Sequence, residues 1–170
     1  MAKLNLKSLN IVLFQPEIPQ NTGNIARTCA AVGAGLHLIK PLGFSLRDRY
    51  LKRAGLDYWH LIEIFTYDSI SEFLSRHGEE NLAFITKTAG KTYDKIDSSR
   101  NLFLIFGKET AGISQDILKQ YSKACYRIPM KEHARSLNLS NAVAVVVYEA
   151  LRQNHFKGLS ISGSKKDDHG

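Results

Sequence analysis

Cysteine is scarce in this chain. Its 170 residues include two, Cys29 and Cys125, which form neither a CxxC pair nor a disulfide framework, and both read as buried thiols. The six histidines offer no HExxH and no paired ligand spacing, so no metal is expected. Nothing approaches membrane-spanning length and no signal peptide precedes the first apolar run, which points to a cytoplasmic protein. Internal repeats are lacking. Two nucleotide signatures also fall short. Gly107-Lys108-Glu109-Thr110-Ala111-Gly112-Ile113-Ser114 has the spacing of a phosphate loop, but Ile113 stands where the phosphate-binding lysine is required. Gly33-Ala34-Gly35 ends a helix and lacks the third glycine of a dinucleotide fingerprint, which argues against a Rossmann-type methyltransferase as well.

What is present describes one globular domain. Apolar residues make up 44% of the chain and charged residues 23%, and the length suffices for a full core. The formal net charge of +7 points modestly towards a polyanionic partner. Apolar runs predict strands at 9–14, 36–39, 61–66, 82–86, 102–106 and 124–128. Helices are expected between them: one capped by Asn21 or Thr22 and ended by Gly33, and a basic one at 47–54 carrying Arg47, Arg49, Lys52 and Arg53. Two more are capped by Asp68 or Ser69 and by Ser114, and a last one follows Asn138 or Ser140. Pro16 and Pro19 should hold 15–20 as a rigid, non-helical loop. Residues 87–100 are polar and expected to be mobile. Residues 160–170 have almost nothing to bury and read as a flexible tail behind a domain at 1–159. Strands alternating with helices give an α/β fold with a mostly parallel sheet. Ligands in such sheets bind beyond the carboxyl ends of the strands, so the polar loops after Phe14, Phe106 and Ile128 belong together.

Three stretches carry candidate chemistry. Pro16-Glu17-Ile18-Pro19-Gln20-Asn21-Thr22-Gly23-Asn24-Ile25-Ala26-Arg27 sets an arginine about one turn inside a fixed helix start, a good place to grip a phosphate or ribose oxygen. Gly107-Lys108-Glu109-Thr110-Ala111-Gly112 follows a fully apolar strand. It is either a glycine turn with an exposed acid, or a loop whose backbone approaches a ligand at Gly107 while Glu109 faces a cation. The third runs from Tyr126 through Pro129 to Gln153. Its loop holds Lys131, Glu132, His133, Arg135, Ser136, Asn138 and Ser140, more polar groups than a helix cap requires. The seven apolar residues from Ala142 to Tyr148 cover every side of a helix, which must then be buried all round by its own core or by a second subunit.

Together these stretches resemble the SPOUT class of RNA methyltransferases, and most closely its YibK-like (TrmL) tRNA (cytidine/uridine-2′-O-)-methyltransferases, over residues 9–158. The resemblance implies a C-terminal trefoil knot and a homodimer packed through the first and last helices. It implies S-adenosylmethionine held by loops after three strands: Ile85 and Thr86; Gly107 and Glu109; Ile128, Met130, Ser136, Leu137 and Asn138. The implied reaction methylates the ribose 2′-hydroxyl of the wobble nucleotide in certain leucine tRNAs, with the anticodon stem-loop as partner. Arg27 would be the catalytic and substrate-binding residue. Tyr148 would lie on the RNA side or, equally, be an interface aromatic. Lys108 stands where many relatives carry proline, which should loosen the turn, and Ala111 where many carry arginine. A 2′-O-methyltransferase for another tRNA or rRNA site, and a non-catalytic RNA-binding homologue, are the alternatives.

Overall fold

The computed structural model describes residues 9–47, 49, 51, 53 and 58–163. Its elements run β1 (Leu9–Phe14), α1 (Pro19–Val32), β2 (Gly35–Ile39), β3 (Ile64–Tyr67), α2 (Ile70–His77), β4 (Asn81–Ile85), β5 (Lys91–Thr92), β6 (Leu102–Phe106), α3 (Gln115–Gln120), β7 (Cys125–Arg127) and α4 (Leu139–Gln153). The strands form one sheet in the order β3-β2-β1-β6-β4-β7-β5, and every pairing is parallel. β1 and β6 lie at its centre and are buried along their whole length, as near-continuous apolar runs in a two-sided sheet should be.

Strand periodicity divides the core between the two faces. Ile11, Leu13, Leu104 and Phe106 pack with Ile25, Ala26, Cys29 and Val32 of α1 and Val143, Val146 and Val147 of α4. Val12, Phe14, Phe103 and Ile105 pack with Phe73 of α2 and Leu118 of α3 on the opposite face. Ser69 caps α2 as expected, accepting the Glu72 N–H at 3.1 Å, while Glu72 accepts the Asp68 N–H at 2.7 Å. Gly33 ends α1 with a φ of 73°, a conformation open to glycine.

Three expectations change here. Pro19 opens α1 instead of barring it: it sits in the first turn, where its missing N–H costs nothing. The strand expected at 61–66 begins at Ile64, because Trp59–Leu61 forms a 3-10 turn. Residues 87–100 are not loose. Lys91–Thr92 adds an edge strand to β7, and Ala89, Ile96 and Ser98 are buried. Ser98 Oγ donates to Gln153 Oε1 at 2.7 Å, and Asn154 Nδ2 donates to the Ser98 carbonyl at 2.9 Å. The partners that fix this strap lie more than fifty residues away, so its local composition concealed them. Of the two ways to cover α4, its own chain supplies only part: Val145 and Tyr148 stay 39% and 48% exposed. Arg49, Leu51 and Arg53 of the expected basic helix are helical, whereas Lys52 and Gly55 lie outside the described residues.

On the α2 side of the sheet a buried polar chain runs among aromatic rings. Asn10 Nδ2 donates to Asn101 Oδ1 at 3.1 Å and to the Leu102 carbonyl at 3.4 Å. That fixes the amide, so its Oδ1 must accept from His37 Nε2 at 3.1 Å. His37 Nδ1 is then the acceptor for the Tyr67 hydroxyl at 2.8 Å, and the Tyr67 oxygen accepts from His77 Nε2 at 3.1 Å. Phe65 stacks on His37 at 4.6 Å and Phe103 meets it edge-on at 5.3 Å. Burial first, and the neighbouring His77 second, push the His37 pKa down to about 4.

Candidate active site

The loops after β1, β6 and β7 meet at the carboxyl edge of the sheet, and side chains tie them together. The first two loops clasp each other reciprocally. Glu109 accepts the N–H groups of Glu17 at 2.8 Å and Ile18 at 3.1 Å. Glu17 in turn accepts the Thr110 N–H at 3.0 Å and the Thr110 hydroxyl at 2.9 Å. Ile18, the residue at the helix cap, makes no side-chain cap, and the first turn of α1 carries no acid of its own. Glu109 supplies that acid from another loop, where it meets orphan donors and the positive end of the helix dipole. Its carboxylate therefore serves the α1 entry.

Asn21 extends the clasp to the third loop. Its Nδ2 donates to Glu109 Oε1 at 3.2 Å and its Oδ1 accepts from Asn138 Nδ2 at 3.0 Å. Asn138 Oδ1 accepts the Ser140 N–H at 2.9 Å and thereby caps α4. Neither Asn21 nor Thr22 caps α1; both are buried. Lys108 does not loosen its turn. The Gly112 N–H donates to the Lys108 carbonyl at 2.9 Å, the two residues form an antiparallel bridge, and Lys108 Nζ reaches Gln15 Oε1 at 3.4 Å. Gly107 is needed by this closure: a Cβ there would lie 2.3 Å from the Gly112 carbonyl carbon. The close approach expected at Gly107 is thus made by the loop itself.

The loop after β7 is built differently. Residues 131–138 are exposed, held inside by an Ala134 N–H to Lys131 carbonyl bond of 2.9 Å. Ser136 makes no hydrogen bond with the described residues, and Leu137 is 41% exposed. Ile85, Thr86, Ile128 and Met130 are half-buried beside it, with the Thr86 N–H bonded to the Tyr126 carbonyl at 2.8 Å. Arg27 lies on the exposed side of α1. Its guanidinium carbon sits 5.1 Å above the centre of the Tyr58 ring. Tyr148 lies on the uncovered face of α4. Among the described residues no group of three or more His, Cys, Asp and Glu side chains could hold a metal, and no helix is long and apolar enough to cross a membrane.

Residues 8–148 match the SpoU rRNA Methylase family. The chain belongs to that family. A Geobacillus stearothermophilus relative, named provisionally as a tRNA (cytidine(34)-2′-O)-methyltransferase, is 53% identical over 156 residues, covering 90% of this chain and 99% of the relative. A solved structure described as concerning 2-OH methylation of C/U34 on tRNA is 40% identical, with a TM-score of 0.82 over 90% of this chain and all of that one. An AdoMet-bound rRNA methyltransferase from Sinorhizobium meliloti is 28% identical, with a TM-score of 0.77; the match covers 85% of this chain and 56% of that longer one. The SpoU-type sheet, parallel throughout and flanked by helices, is the α/β architecture expected from the alternating apolar runs.

Within this SpoU-family site, sequence reasoning named Glu109 and Asn138 but not the residue that joins them. Asn21 was legible as buried. It shares the i, i+4 stripe of α1 with Ile25 and Cys29, all three buried, so an asparagine there needed a polar partner inside the molecule. Which partner it found depended on residues far along the chain.

Proposed function

We propose that the protein transfers a methyl group from S-adenosylmethionine to the ribose 2′-hydroxyl of the wobble nucleotide, cytidine or modified uridine, of leucine tRNAs. The observation that carries this is the convergence of three loops, joined by Glu109, Asn21 and Asn138, beside the helix bearing Arg27. The wobble assignment is supported by the naming of the Geobacillus relative and by the subject of the C/U34 structure. The cofactor is supported by the AdoMet-bound relative.

The loop residues suit that cofactor. Ile85, Ile128, Met130 and Leu137 offer apolar walls, Ser136 has unused hydrogen-bonding capacity, and Thr86, Gly107 and the β7 loop offer main-chain groups. Bound S-adenosylmethionine would supply a methyl group on a cationic sulfur. Glu109 and Asn138 contribute by holding the loops in place. Arg27 positions the ribose and an adjacent phosphate, since a guanidinium is a poor base at neutral pH and a good anion fork. No metal is required.

The same reading makes the enzyme a cytoplasmic homodimer with a C-terminal trefoil knot, a domain at 1–159 and a tail at 160–170. The uncovered Val145 and Tyr148 of α4 fit a dimer face, with Tyr148 close to the RNA. The exposed Arg47, Arg53, Lys87 and Lys131 suit the phosphates of an anticodon stem-loop. The test is incubation with unmodified leucine tRNA and labelled S-adenosylmethionine, followed by nucleoside mass spectrometry. Methylated ribose at the wobble nucleotide is expected. Methylation only at another tRNA or rRNA nucleotide would redirect the assignment, and binding of cofactor with no transfer to any RNA would refute it.

A further inference from the structure

We propose that Tyr58 is a positioning residue that holds the Arg27 guanidinium in place for RNA; this rests on the functional reading above. Arg27 makes no hydrogen bond or ion pair with the described residues, and the contact it makes is a ring, with its guanidinium carbon 5.1 Å from the Tyr58 centroid. The ring is well anchored. Tyr58 is half-buried and its carbonyl accepts the Leu61 N–H at 2.9 Å, starting the 3-10 turn Trp59–Leu61. Trp59 and Ile62 then pack against the core cluster that includes Ile25, Ala26 and Cys29 of α1. The turn and the helix are thus parts of one packed unit, and the ring keeps its place relative to Arg27.

The choice of a ring over an acid has a chemical consequence. A carboxylate partner would orient the guanidinium but occupy two of its five N–H donors and cancel its charge. An aromatic face attracts the cation through the ring quadrupole and leaves the in-plane donors free. An arginine that must meet a ribose or phosphate oxygen gains from being held without being consumed. Two other arginines carry an acid partner: Arg76, which also lies 5.7 Å over the Tyr67 ring, is bonded to Glu72 at 2.6 Å, and Arg152 to Glu149 at 2.8 Å.

The test compares Tyr58→Phe and Tyr58→Leu in the full-length protein. Tyr58→Phe keeps the ring and should methylate tRNA at close to the wild-type rate. Tyr58→Leu should lower the single-turnover rate and the tRNA affinity roughly two- to fivefold, the range expected for an exposed cation–π contact. Its S-adenosylmethionine affinity should stay at the wild-type value, and its Tm should fall by no more than a few degrees. In an Arg27→Ala background the Tyr58→Leu effect on tRNA affinity should vanish, which a merely structural role for Tyr58 would not produce. Should Tyr58→Leu fail to fold, NMR of the wild-type protein decides: the Arg27 side-chain resonances should show an upfield ring-current shift. Unshifted arginine resonances, or a folded Tyr58→Leu variant with wild-type rate and tRNA affinity, would overturn the proposal. If the wild-type enzyme methylates no RNA, the functional reading fails, while the ring-current shift and tRNA affinity still decide the role of Tyr58.

Discussion

Two chains of polar side chains cross this protein, and their surroundings differ. Glu109, Asn21 and Asn138 join three loops at the carboxyl edge of the sheet, and most of their bonds go to loop or helix-end N–H groups. Beside them stand groups with capacity to spare: Ser136, which has no hydrogen-bond partner among the described residues, and Arg27, which is held by a ring. Asn10, His37, Tyr67 and His77 lie on the α2 side of the sheet among phenylalanines, and His37 is 3% exposed. There each ring nitrogen and hydroxyl between Asn10 and His77 is matched in order, donor to acceptor. A saturated, largely buried chain fixes a fold; a chain flanked by unused donors at a loop edge is placed to receive a ligand.

The contrast can be broken or sharpened by measurement. The largest effect concerns pH. Between about pH 6.5 and pH 4 an unfolded chain binds a proton on the His37 imidazole that the native chain refuses. Stability is therefore fully present above that window and falls as pH drops through it, by about 3 kcal/mol. His77, also lowered by burial, acts in the same direction. Urea titrations at pH 7 and pH 4.5 should show the drop, and His37→Phe should flatten it. Tyr67→Phe comes next: it leaves His37 Nδ1 without its donor and should cost about 1–3 kcal/mol, read as a lower Tm. Asn138→Ala removes a cap and the link to Asn21, so Tm should fall by the equivalent of about 1 kcal/mol along with cofactor affinity. The smallest change in stability is expected for Ser136→Ala, within roughly 0.5 kcal/mol, although cofactor affinity should still decline.

Much of this was legible before the structure. The apolar runs of β1 and β6 announced central strands, and the polar loops after Phe14, Phe106 and Ile128 do meet. Local sequence narrows two caps to neighbours, Asp68 or Ser69 and Asn138 or Ser140, of which Ser69 and Asn138 do the capping, whereas Ser114 makes no side-chain cap. Capping was misread at α1, because the acid answering that helix entry is Glu109, some ninety residues away. The strap at 87–100 was misjudged for the same reason: Gln153 and Asn154 hold it from the far end of the chain. Local pattern reveals local partners, and the site is joined by distant ones.

The central claim is that the chain at the loop edge, and not the one among the phenylalanines, supports the cofactor site. Calorimetric titration of S-adenosylmethionine into Asn138→Ala and Tyr67→Phe, side by side with the wild-type protein, tests it directly. Asn138→Ala should lose about tenfold in affinity, the loss expected from one or two hydrogen bonds, while Tyr67→Phe, despite its lower Tm, should bind as the wild type does. Unchanged affinity in a folded Asn138→Ala variant, or a matching loss in Tyr67→Phe, would contradict it.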